Sequence, residues 1–222
     1  MKILRIHILL PIFCLISAAA FSQNVNWKRL DAENPNLVQV ALGLDFGTTA
    51  SVGYGRLLGT KRPILLSADF AVPFGMTVLD DFKTRAGGQM EVWRSGNFSA
   101  TLQASGVFRR FESSIARIAS FGSETGGVFG FYKSKWYVAT EFAFDKAIST
   151  HLKHSEFMRE VYPEIRDGWY VPTGGNFSYG LQTGLSFGKN DLHLSVGKVL
   201  TEDFKTTPTI PFYLQIGFNR RF

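Results

Sequence analysis

Cysteine is nearly missing from these 222 residues: Cys14 is the only one. It lies in a leader expected to be removed. The mature chain then has no disulfide framework, no thiol nucleophile and no cysteine-based zinc site. Long apolar runs are also scarce. Ile8 to Ala20, broken only by Pro11 and Ser17, is too short for a spanning helix, which needs about 20 residues, and no other run is long enough. Clustered charge is the third absence. Removing Lys2 and Arg5 lowers the formal charge from +6 to +4, and no run of Lys or Arg concentrates it. That argues against a nucleic-acid partner. No cofactor is expected.

What is present is alternation. Phe212, Leu214, Ile216, Phe218 and Phe222 share one parity; Tyr213, Gln215, Gly217 and Asn219 share the other. A period of two that ends on a C-terminal aromatic reads as the closing strand of a transmembrane β-barrel. Arg220 departs from the apolar pattern, close enough to a rim to snorkel. In hydrocarbon every backbone N–H and C=O needs a partner, so strands span only as a closed barrel. The leader agrees. Lys2 and Arg5 precede the apolar stretch, and Ala20 and Ser22 are small residues placed for cleavage before Gln23, which predicts a signal peptide over 1–22. Ile12 and Phe13 make no lipoprotein box before Cys14.

The polar segment 23–36 is expected to be a periplasmic lead-in, and 37–222 the barrel. Val38, Val40, Leu42, Leu44 and Phe46 are assigned outward, with Gln39, Gly43 and Asp45 inward. Turns are expected at Gly59-Thr60-Lys61, Lys133-Ser134-Lys135 and Gly188-Lys189-Asn190-Asp191. Loops are expected over Gly75–Gly88 and Ser149–Asn176. The fold class is all-β: an antiparallel transmembrane barrel of eight or ten strands, an even number because both ends share one side. Splitting at Gly47-Thr48-Thr49 and at Ser95-Gly96-Asn97 gives ten. An echo between Asp80-Asp81-Phe82-Lys83-Thr84 and Glu202-Asp203-Phe204-Lys205-Thr206 favours ten, with both copies outside. The water-soluble barrel is the rival. Against it stand the many large Phe side chains on the apolar face, and aromatics at strand ends (Trp93, Phe98, Tyr132, Trp136, Trp169, Tyr170, Phe177) where interfacial girdles lie.

Three candidate sites follow. Asp45, Asp69, Glu91, Glu141 and Asp145 are expected to face the lumen, either as a hydrogen-bonded plug or as the lining of a narrow pore for small solutes. Arg117 and Arg221 are candidate partners for these acids. His193 and Ser195 lie two apart on one face, where an imidazole reaches a hydroxyl. The long loop gathers His151, His154, Tyr162, Trp169 and Tyr170, and exposed Tyr, Trp and Arg are contact anchors. A helical turn there would bring His151 and His154 together, but with no second ligand pair a solvated loop, and not a metal site, is expected.

The closing strand and leader resemble small outer-membrane β-barrel proteins of Gram-negative bacteria, and the end Phe21-Ser22-Gln23 is similar to Bacteroidota signal peptides. The resemblance implies a location in the outer membrane and recognition by the barrel-assembly machinery. It also implies outer-membrane lipids and lipopolysaccharide as neighbours, with a protein partner at the extracellular loops as a further candidate. His193-Leu194-Ser195 resembles the His-x-Ser of outer-membrane lipid A deacylases, with Glu202 the nearest acid downstream. The expectation is a non-enzymatic structural or binding protein acting through its long loop.

Overall fold

The computed structural model describes residues 24–59, 63–75 and 77–222. The expected signal peptide over 1–22 lies outside them, as do Gln23 and most of the Gly59-Thr60-Lys61 turn. Within the described residues the strands are β1 (Asn36–Leu44), β2 (Thr48–Leu58), β3 (Ile64–Pro73), β4 (Asp81–Ser95), β5 (Phe98–Glu112), β6 (Ala116–Tyr132), β7 (Trp136–His154), β8 (Gly168–Tyr170), β9 (Gly175–Phe187), β10 (Asn190–Thr201) and β11 (Phe212–Arg221). Each pairs antiparallel with its neighbour, and β1 pairs with β11, closing the sheet on itself. β8 is only a short addition beside β7, so the barrel has ten strands.

Alternation turns the wall inside out relative to a soluble protein. Val40, Leu42, Val52, Leu102, Leu181, Leu194 and Ile216 are exposed on the outside. Gln39, Gln89, Thr101, Gln182, His193 and Gln215 are buried within. The start of β1 and the end of β11 meet at one end of the barrel, since Asn36 and Phe222 exchange backbone hydrogen bonds. The turns Gly96-Asn97, Lys133–Lys135 and Gly188-Lys189 lie at this end too. The opposite end carries the longer connections, 74–80, 155–174 and 202–211, with helix α1 (Glu156–Val161) in the middle one.

Several boundaries differ from the sequence reading. The loop placed over Gly75–Gly88 ends at Asp80. Residues 81–88 are strand, paired from Asp81↔Phe111 onward, and carry Lys83 and Arg85 inward. Residues 109–121, to which the sequence reading assigns no strand, are the end of β5, a tight turn and the start of β6. β7 runs on to His154, so the long loop is shorter than Ser149–Asn176. Two β-bulges explain part of this. Val92 is an extra residue opposite Thr101 and Ala100, and Ile148 is an extra residue opposite Phe121 and Gly122. Each bulge shifts the in–out parity of the residues beyond it. Phe46, assigned to the outer face, sits in the β1–β2 turn with its ring under the Arg109 guanidinium, 4.5 Å away.

Aromatics gather outside in two belts. Phe70, Phe82, Phe108, Phe121 and Trp169 form a continuous series of ring contacts towards the long-loop end. Trp93, Phe129, Phe98, Phe131 and Trp136 form another at the short-turn end. Tyr132, expected in this belt, points inward and stacks on Tyr137. At about 3.3 Å per residue and a tilt of roughly 35–45°, the stretch of β6 from Phe121 to Phe131 spans about 25 Å along the axis.

Candidate functional site

A ten-strand wall encloses more width than its own side chains fill, since about eight strands is the size that side chains alone pack. The remainder is filled from the N-terminus. Asn24–Trp27, expected to be part of a polar lead-in, turns into the barrel and is buried. A single 3-10 turn, Trp27–Arg29, is capped by the Asn26 side chain, which accepts from the Lys28 N–H. The segment then fastens itself to three short turns. Lys28 Nζ donates to the Gly96 carbonyl at 3.3 Å, and Asn26 Nδ2 to the Lys133 carbonyl at 2.8 Å. Arg29 donates to the Ser134 and Gly188 carbonyls. Val25 and Trp27 join Leu37, Leu65, Val128, Tyr132, Tyr137 and Ala139 in an apolar cluster at this end of the lumen.

Deeper in, Asn24 meets the candidate catalytic pair. Its amide donates to Ser195 Oγ at 2.7 Å and to Gln215 Oε1 at 3.3 Å, and lies 3.2 Å from His193 Nδ1. Gln39 Nε2 lies 3.1 Å from the other ring nitrogen. His193 and Ser195 share one face as the spacing predicts, but they are 1% and 0% exposed. Glu202, the acid nearest in sequence, is at the long-loop end, 3.2 Å from Lys146. No acidic group is a hydrogen-bond partner of the imidazole among the described residues.

Glycines make room for the large lumenal side chains. His193 pairs across the strands with Gly217, Tyr137 with Gly184, and Tyr213 with Gly197. A Cβ at any of these glycines would collide with the ring opposite. Tyr213, so placed, donates to Glu141 at 2.5 Å, and Gln182 donates to the other oxygen of that carboxylate.

Above this layer sits a buried charge cluster. Arg85 contacts Asp45 at 2.8 Å, Asp69 at 3.1 Å and Glu124 at 3.4 Å, and Lys83 contacts Asp45 at 3.2 Å. Asp145 is held by Asn176 Nδ2. Glu91 lies nearer the short turns, where Arg94 and Ser99 donate to it. The five acids read as lumenal therefore do face inward. Their partners are not those expected. Arg117 faces outward and pairs with Glu112, while Arg221 pairs with Asp191. Lys83 and Arg85 fall in the segment that reads as a loop, so the sequence does not place them in the lumen. A cavity of about 40 Å³ beside Lys83, Arg109, Asp145 and Lys146 marks the mouth, room for roughly two or three waters.

The long-loop residues are spread over several elements. His151 faces outward against Trp169, with ring centroids 5.0 Å apart. His154 faces inward, its Nδ1 2.8 Å from Asp167 Oδ1. The two histidines lie on opposite faces of a strand, so the helical turn imagined for them does not form. Asp167 also accepts the His154 backbone N–H, and this bond, with the His154 ring bond, holds its carboxyl below the usual range. Tyr162 caps α1, and Tyr170 donates to the Arg166 carbonyl at 2.7 Å. Comparison with models of known protein families and with curated proteins gave no match to this chain.

Proposed function

We propose that this chain is an integral outer-membrane barrel of a Gram-negative envelope, closed to solutes, whose long-loop end binds a partner outside the cell. One observation carries the reading: an apolar outer face bounded by two aromatic belts about 25 Å apart, the height of the apolar band of outer-membrane barrels, around a polar, packed interior. A soluble barrel with this surface would expose far more contiguous apolar area than monomers tolerate. The regular alternation of the closing strand β11 supports insertion by the barrel-assembly machinery, and Phe21-Ser22-Gln23 fits a Bacteroidota source.

The narrow-pore alternative needs a continuous water-accessible lining. Ser195, Tyr213 and Lys83, at successive levels of the lumen, are each at most 1% exposed, which favours the plugged reading. The hydrolase alternative draws no support from the buried His193 and Ser195. Tyr170, exposed in the long-loop connection, is the anchor offered to a partner.

The test is a boil-dependent mobility shift on the outer-membrane fraction, with protease added to intact cells. Cleavage confined to 155–174 and 202–211 in a shifting band is expected. A non-shifting protein recovered from the soluble fraction would overturn the proposal. In planar bilayers the intact chain should give no single-channel steps, and steady conductance would revive the pore.

A further inference from the structure

The outer face of β5, β6 and β7 changes character just beyond the upper aromatic belt. Phe108 and Phe121 end the apolar surface there. The next outward positions on the same strands include Arg110, Glu112, Arg117 and Lys153. The register sets Arg117 directly between Glu112 and Lys153. Glu112 accepts from Arg110 at 2.5 Å and from both Nε and Nη2 of Arg117 at 2.8 and 2.7 Å. One carboxylate therefore serves two guanidiniums. Lys153 has no hydrogen-bond or ion-pair partner among the described residues. Like charges directly opposite one another on a sheet face are destabilising, so Arg117 beside Lys153 is an arrangement that a bound anion would stabilise.

We propose that Arg110, Arg117 and Lys153 bind the phosphates of a phosphorylated saccharide headgroup, that of a glycolipid in the outer leaflet. This rests on the membrane reading above. The cations face the lipid side of the wall and not the lumen, which selects a lipid over a soluble anion. They stand at the long-loop end, just above the belt, where headgroups begin. They also span β5 to β7, about 10 Å across two strand spacings, wider than one phosphate and suited to a sugar carrying more than one. Guanidinium forks match phosphate oxygens bidentately. Trp169, 6.2 Å from Phe121, supplies a flat surface beside them.

The test uses the full-length barrel purified in detergent, titrated with bisphosphorylated lipid A and read by native mass spectrometry. A discrete one-to-one adduct is expected. Arg117→Ala with Lys153→Ala should weaken it on the order of tenfold or more, and Glu112→Gln should strengthen it. Lys153→Gln alone, at an exposed site, keeps the test valid should the double variant lose its boil-dependent shift. Dephosphorylated lipid A bound equally well would overturn the phosphate assignment, and phosphatidylglycerol bound equally well would overturn the saccharide. A barrel that keeps its shift but shows no phosphate dependence sinks this inference alone. A chain that neither shifts nor needs detergent sinks the membrane reading with it.

Discussion

The side-chain amide of Asn24 and the hydroxyl of Ser195 lie 171 residues apart in the chain and 2.7 Å apart in the lumen. The same amide serves His193 and Gln215, so the N-terminal segment supplies polar partners that the wall does not. Asn24→Ala removes the donor to the buried Ser195 hydroxyl and Gln215 carbonyl and one contact of the His193 ring, which keeps its contact with Gln39, a loss of about 1–3 kcal/mol. Urea unfolding in lipid vesicles measures it, and an unchanged midpoint would mean the segment is not seated inside.

Trp27 fills the short-turn end of the lumen against Leu65, Tyr132 and Tyr137. Truncating a buried aromatic costs about 3–5 kcal/mol, including the cavity left behind. Trp27→Ala should therefore lower the temperature of the boil-dependent shift more than Asn24→Ala does. Equal effects would say that the segment is held by its polar contacts alone.

Gly197 leaves space for the ring of Tyr213. Gly197→Ala should push that ring aside and break its bond to Glu141, a cost of about 1–3 kcal/mol for overpacking. Gly174→Ala, where an added Cβ meets open space, is the matched control and should be silent. Similar unfolding midpoints for the two would argue against the glycine–aromatic pairing.

Arg85 joins three carboxylates. Arg85→Met should destabilise the barrel by about 3–5 kcal/mol, because removing one partner strands buried charge. Adding Asp45→Asn should recover part of the loss. If the double variant is no better than the single, the cluster is not the electrostatic unit described.

Asp203, in the 202–211 connection, accepts from the Thr201 hydroxyl and from the Lys205 and Thr206 backbone N–H groups, which depress its carboxyl pKa. A depressed acid lends its support above the ordinary carboxylate range and loses it as pH falls through the lowered value. Protease nicking of this loop should hence stay slow at neutral and mildly acidic pH and quicken only in strong acid. Asp203→Asn should nick faster at neutral pH, and indifference to both changes would remove Asp203 as the organiser of the loop.

Much of the barrel was legible because one-face burial imposes a period of two, as in Phe212 to Phe222 and Leu192 to Val196. The ten-strand count followed from the turns near Gly47 and Gly96, and the inward acids from parity. The failures share physical causes. Asp81–Gly88 read as a loop because its inward side chains are charged and its partner strand supplies the apolar context. Bulges at Val92 and Ile148 add residues that no period reveals. The lumenal role of Asn24–Trp27 was hidden because a polar segment packed inside a polar interior looks the same in sequence as one in water. The one available signal was Trp27, a large aromatic in an otherwise polar stretch.

Asn219 on the last strand donates to the backbone carbonyl of Asn24, 195 residues earlier. A contact of that separation forms only when nearly the whole chain is in place, because the entropy of closing so long a loop has to be met by contacts already made. Seating of the N-terminal segment therefore belongs to the final stage of folding, together with the β1–β11 seam. Before that stage the sheet is open and its polar face is wet, and the order of assembly, more than the finished architecture, decides when that face becomes dry.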